Sequence, residues 1–131
     1  MAMELVALER TNKYKVLYYE KLKYQPENLA LLAEHFDIIT LTDPSRATSE
    51  ILSEIDIIFA PLGYYCGREK IEQANNLKVI ASNTTGHSHI DVRCAEEKGV
   101  KVVTLKEQHA FLKTITPTAE VTWGLIIAIT R

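Results

Sequence analysis

The chain has no apolar run that approaches the ~20 residues needed to cross a bilayer. Its oiliest stretch, Ala119 to Ile129, is interrupted by Thr122 and Gly124, so no membrane partner is expected. Positive charge is equally diffuse. Lys13, Lys15, Lys21 and Lys23 are spaced through mixed segments and the net charge is −2, which argues against nucleic acid as a partner. Cysteine is scarce, with Cys66 and Cys94 alone and not in Cys-x-x-Cys spacing. Met1 to Arg10 lacks the basic-then-apolar pattern of a secretory leader, and a reducing cytoplasm is therefore the expected home of two free, buried thiols. Five glycines and four prolines in 131 residues are too few for a disordered or fibrous chain.

What is present suits one globular domain. The length falls in the usual span of a single core, and 47% hydrophobic with 24% charged residues can fill that core without metal or disulfide help. Short β-rich runs alternate with helical patterns. Lys15 to Tyr19 predicts a strand. Pro26 then suits a first helical turn, and Leu29, Leu32, Ala33 and Phe36 recur on one helical face. Asp37 to Leu41 predicts a second strand, closed by the turn Thr42-Asp43-Pro44-Ser45. Ile51, Leu52 and Ile55 mark a helix, Asp56 to Ala60 a third strand, and Arg68 to Ala74 a short helix. Lys78 to Ala81 and Val100 to Leu105 complete five strands. Ser88 or Asp91 can cap the helix between them, and Gly99 stands where that helix needs positive φ.

Strands of this kind lack strict alternation, which predicts burial on both faces. The fold class expected is α/β: a three-layer, flavodoxin-like (Rossmann-like) parallel five-stranded sheet with helices on both faces. A last helix from about Pro117, with Thr116 as a candidate cap, carries Val121, Trp123, Leu125, Ile126, Ile127 and Ile129 around most of its circumference. Such a helix needs neighbours on more than one side, supplied either by polypeptide beyond Arg131 or by a second copy of the chain.

Ligands of open parallel sheets bind beyond the strands' carboxyl ends, where two loops are informative. Pro61-Leu62-Gly63-Tyr64-Tyr65-Cys66-Gly67 has glycines for close backbone approach and tyrosines to wall a pocket; a plain turn with aromatic packing fits it as well. Ser82 to Asp91 is a strand end, a glycine turn and then a helix start, a place receptive to a carboxylate or phosphate through free N–H groups and the helix dipole. A single glycine there makes neither a dinucleotide fingerprint nor a Walker loop. His87 and His89 have His-x-His spacing, but nothing completes a ligand set, so no metal is expected. His35 and His109 suit surface or cap positions. Ser88 lacks a Gly-x-Ser-x-Gly context, and Glu96 with Glu97 reads as a solvated face. No catalytic residue is assigned within the chain.

Leu77 to Leu105, LKVIASNTTGHSHIDVRCAEEKGVKVVTL, resembles the signature stretch of the D-isomer-specific 2-hydroxyacid dehydrogenases (phosphoglycerate dehydrogenase-like). Thr116 to Arg131, TPTAEVTWGLIIAITR, is similar to the family's helix that leads into its cofactor domain. The resemblance implies that residues 1–115 form a substrate-binding (catalytic) domain and 116–131 the start of a helix leading to an NAD-binding domain that this sequence lacks. It implies an oxidoreductase that interconverts a D-2-hydroxy acid and a 2-oxo acid by hydride transfer with NAD or NADP, as a cytoplasmic homodimer. It implies too that the arginine, histidine and glutamate of the chemistry lie after Arg131, leaving the chain inactive alone. Carried onto this sequence, the substrate-binding residues are Leu62, Gly63, Tyr64, Thr84, Thr85 and Gly86, with Thr85 also at the nicotinamide's edge. Asp91 and Glu120 match structural positions. Asn83-Thr84-Thr85, Ser88 and Thr114 depart from common family residues and bear on substrate identity. The rival reading is a stand-alone flavodoxin-like binding or regulatory module. Tyr18-Tyr19-Glu20 and Ala60-Pro61-Leu62 lack a phospho-receiver's acidic residues, and Lys21-Leu22-Lys23 is no flavin phosphate loop.

Overall fold

The computed structural model describes residues 13–130; the segment weighed as a leader, Met1 to Arg10, lies outside them. Five strands, β1 (Lys15–Tyr19), β2 (Asp37–Leu41), β3 (Ile57–Phe59), β4 (Val79–Ala81) and β5 (Lys101–Val103), form one sheet in the order β2-β1-β3-β4-β5. Every pairing is parallel, with Leu17 beside Ile39 and Ile58, Ile58 beside Ile80, and Ile80 beside Val102. This is the flavodoxin-like order, and it puts all five carboxyl ends on one rim.

Among the described residues six α-helices accompany the sheet: α1 (Pro26–His35), α2 (Ser49–Glu54), α3 (Arg68–Gln73), α4 (Val92–Glu97), α5 (His109–Leu112) and α6 (Pro117–Ile129). Local chemistry sets their ends. Pro26 opens α1, Thr48 Oγ1 accepts from Ile51 N at 3.3 Å to start α2, and Asp91 Oδ1 accepts from Cys94 N at 2.9 Å to start α4. Asp91 is thus the cap of α4, and Ser88 stays exposed three residues upstream. Gly99 ends α4 at φ +71°, a conformation that strains any residue with a Cβ. Thr116 departs from expectation: its backbone is already αR and its hydroxyl donates to Glu120 Oε1 at 2.7 Å rather than accepting from the helix's first N–H groups.

The core sits between the sheet and α2, α3 and α4. Leu17, Tyr19, Ile58 and Ile80 from the strands, with Ala60 just after β3, meet Leu52, Ile55, Ile71, Ile90, Cys94 and Ala95. Both cysteines are buried and free, and burial pushes the Cys66 thiol up to about 11. The opposite face is divided. At its β1–β2 end α1 approaches, so that Leu29, Ala30 and Ala33 line a cleft with Tyr18, Ile38 and Thr40. Tyr24 bridges Tyr18 and Phe59 at ring distances of 5.4 and 5.8 Å. Further along, Ile57, Phe59, Val79 and Ala81 are only half-buried and Val103 is exposed. The short strands therefore read as buried on both faces have one dry face and one partly wet one.

α6 exposes its apolar residues all round, Trp123 at 66% and Leu125 at 59% among them. No helix among the described residues is long and apolar enough to cross a membrane.

Candidate functional site: two clefts on the carboxyl rim

The rim loops come together because β1, β3 and β4 end side by side. After β3, Ala60 N donates to Ala81 O at 2.8 Å, holding the loop against β4. Gly63 then turns at φ +87°, and Tyr64 comes back toward the loop after β1. There Lys21 Nζ donates to the Tyr64 hydroxyl while sitting 4.9 Å from its ring centroid, a combined hydrogen bond and cation–π contact. By accepting that hydrogen bond, Tyr64 raises Lys21 above the ordinary lysine range. Leu62, Gly63 and Tyr64 line an open cleft of about 660 Å³ with Lys21, Lys23 and Asn83. Its charged lining is wholly cationic.

The loop after β4 is pinned at both ends. Ser82 N donates to Val103 O at 2.9 Å, and Leu105 N to Thr84 O at 2.9 Å. Thr84 Oγ1 donates to Gly86 O at 2.6 Å and lies 2.9 Å from Ser82 Oγ. The N–H groups of Thr84, Thr85 and Gly86 donate to no acceptor among the described residues. Thr85 and Gly86 line a second cleft of about 460 Å³ with His87, Ser88 and Lys106. Unsatisfied N–H groups beside an ammonium form a receptor for a carboxylate. The helix dipole takes no part, because α4 begins only at Val92 and its first turn is already capped by Asp91.

The six residues singled out in the sequence are therefore distributed over neighbouring clefts. Leu62, Gly63 and Tyr64 share one, Thr85 and Gly86 share the other, and Thr84, with its hydroxyl engaged internally, stands between them. The two loops are nonetheless tied: Cys66 N donates to His89 O at 2.8 Å and Asp91 N to Cys66 O at 3.0 Å. Sequence reasoning missed Lys21, Lys23 and Lys106, whose loops carry no motif; only position on the rim marks them. His89 is buried and hydrogen-bonded to Ser82, whereas His87 faces a cleft. Among the described residues no three of His, Cys, Asp or Glu gather as a metal site. His35 and His109 are exposed, and neither lines a rim cleft.

Comparison with known proteins agrees with this geometry. The sequence pattern of the D-isomer specific 2-hydroxyacid dehydrogenase catalytic domain matches residues 16–110. A Staphylococcus haemolyticus protein under the name of a 2-hydroxyacid dehydrogenase is 31% identical over 107 residues, covering 79% of this chain and 32% of that one. The glyoxylate reductase of Aeropyrum pernix is 30% identical over 116 residues, covering 81% and 31%. The solved NAD-dependent formate dehydrogenase of Staphylococcus aureus, in complex with NAD, superposes with a TM-score of 0.57 at 23% identity, covering 84% of this chain and 40% of that one; that likeness carries the fold. The chain spans about a third of the length of the curated relatives it matches. With 95 of its 131 residues inside the family pattern, counted from 16 through 110, and with the sheet order and rim loops described above, the chain belongs to the D-isomer specific 2-hydroxyacid dehydrogenases through their catalytic domain.

Proposed function

We propose that the chain is the substrate-binding half of an NAD- or NADP-dependent oxidoreductase that interconverts a D-2-hydroxy acid and a 2-oxo acid. The observation that supports this most is the turn after β4. Thr84, Thr85 and Gly86 offer N–H groups with no acceptor among the described residues, and Lys106 stands beside them, which suits the C1 carboxylate of such an acid. Leu62, Gly63 and Tyr64 serve as the wall against the rest of the substrate, and Lys21 and Lys23 favour a negative group there.

The nicotinamide cofactor supplies the hydride chemistry when bound. This chain's residues do not fit its pyrophosphate: Gly63, Gly67, Gly86, Gly99 and Gly124 form no Gly-x-Gly-x-x-Gly. Only Thr85, at the nicotinamide's edge, is proposed to touch it. Residues 1–115 are accordingly the substrate domain, and 116–131, which include α6, begin the path to a cofactor domain outside this sequence. The exposed apolar residues of α6 support packing against that domain or against a second copy in a cytoplasmic homodimer.

The purified 131-residue chain mixed with glyoxylate or hydroxypyruvate and NADH is expected to show no NADH oxidation above background, whereas oxamate, a non-reducible 2-oxo acid mimic, shifts the Thr85 and Gly86 amide resonances. Measurable turnover overturns the division of labour. Unmoved amides at saturating oxamate overturn the acid-binding role.

A further inference from the structure

His89 touches both substrate-side loops, through its main chain and through its side chain. Its side chain is buried, 8% of the residue remaining exposed. Its main-chain oxygen accepts from Cys66 N of the loop after β3 at 2.8 Å. Its Nε2 lies 3.0 Å from Ser82 Oγ, which continues to Thr84 Oγ1 at 2.9 Å and from there to Gly86 O at 2.6 Å. Ser82 Oγ also lies 3.1 Å from Ala60 O, at the end of β3.

Counting protons assigns the tautomer. The four contacts His89–Ser82, Ser82–Ala60, Ser82–Thr84 and Thr84–Gly86 have only two hydroxyl protons between them. A bare Nε2 leaves two contacts without a proton, and an Nε2–H leaves one. A proton on Nδ1, which is buried and has no partner among the described residues, would be a buried donor without an acceptor. The neutral Nε2–H form, with a bare Nδ1, is the arrangement with fewest unmet groups.

We infer that His89 is a positioning residue: as the neutral Nε2–H tautomer it donates to Ser82, thereby fixing the Ser82–Thr84–Gly86 turn, while its main chain holds the Cys66 loop against the same turn. The inference rests on the acid-binding role proposed for that turn. It goes further by naming the buried group that sets the direction of the turn's N–H groups.

The test uses the isotope-labelled 131-residue chain. Long-range proton–nitrogen spectra of the imidazoles at pH 7.5 should show His89 protonated on Nε2 and bare on Nδ1. His89→Leu removes the donor, Ser82→Ala removes its acceptor, and His89→Gln keeps a donor in place. Oxamate affinity, followed through the Thr85 and Gly86 amides, should fall about tenfold in H89L and S82A and stay within about threefold in H89Q. Exchange of the Leu105 amide, which donates to Thr84 O, should quicken about tenfold in the first two and be unchanged in His87→Ala. S82A leaves the imidazole's volume intact and decides the matter if H89L does not fold. An Nδ1–H tautomer, or wild-type Leu105 exchange in folded S82A, overturns the inference. If wild-type amides ignore oxamate, the acid-binding reading falls, and the tautomer and the Leu105 exchange still decide the role of His89.

Discussion

Shortening Leu17 to alanine lowers stability by about 2–5 kcal/mol. Leu17 is wholly buried at the middle of β1, with β2 on one side and β3 on the other, and belongs to the cluster beneath α2, α3 and α4. Truncation there removes the transfer free energy of the lost carbons, and it leaves a cavity that paired strands on both flanks cannot close. Domains of this size are stable by roughly 5–15 kcal/mol, so one such change consumes a large part of the margin. Urea unfolding should show the midpoint drop with little change of slope. The same truncation at Leu125, exposed on α6, should cost no more than about 0.5 kcal/mol. Equal losses at the two positions would contradict the placement of the core.

Asp56→Ala is expected to cost about 1–3 kcal/mol at neutral pH. The Asp56 carboxylate fastens the sheet's amino-terminal edge: Oδ2 accepts from Lys15 N at 2.9 Å, and Oδ1 from Lys78 Nζ at 2.7 Å. Its main chain donates to Lys15 O and accepts from Lys78 N, so one residue joins the beginnings of β1, β3 and β4. Burial alone would raise the carboxyl. The hydrogen bond from Lys78, that from the Lys15 N–H and the two positive charges together outweigh it and hold the group below the ordinary aspartate range. A folded-state value below the unfolded one stabilises above the unfolded pKa, about 3.9, and that contribution is lost as pH falls through the folded value. The gap between wild type and Asp56→Ala should therefore be constant from pH 7 to about 5 and narrow below about 4. Because Lys78 is half exposed, added salt should remove only a small part of the gap. A gap independent of pH down to 2 would show that ionisation of Asp56 is not its source.

Much of this architecture was legible because β1 and β2 are long enough to declare themselves. Lys15–Tyr19 and Asp37–Leu41 occupy the predicted spans. The later strands are shorter than their apolar runs, since Asp56, Lys78 and Val100 form flanking hydrogen bonds outside the ladder and Thr104 starts a 3₁₀ turn by accepting from Lys106 N. Half-wet β3 and β4 could not be foreseen, because Ile57-Ile58-Phe59 has the same pattern whether one face or both are covered. At the site, Gly63 and Gly86 marked their turns. Lys21, Lys23 and Lys106 gave no signal, because a lysine in a loop becomes a cleft residue only through which strand ends lie together. The choice of Asp91 over Ser88 as cap was open in sequence, as both residues suit the role, and the Cys66–His89 link settles it by fixing where α4 begins.

The half-covered sheet also shapes how the molecule responds to temperature. Ile57, Phe59, Val79 and Ala81 are only half-buried and Val103 is exposed in the folded chain, so they gain less hydration on melting than fully buried residues would. The heat-capacity increment is then expected at the lower end of the roughly 12–15 cal/mol/K per residue of ordinary globular domains. The stability curve is correspondingly shallow, with a broad maximum in place of a narrow dome.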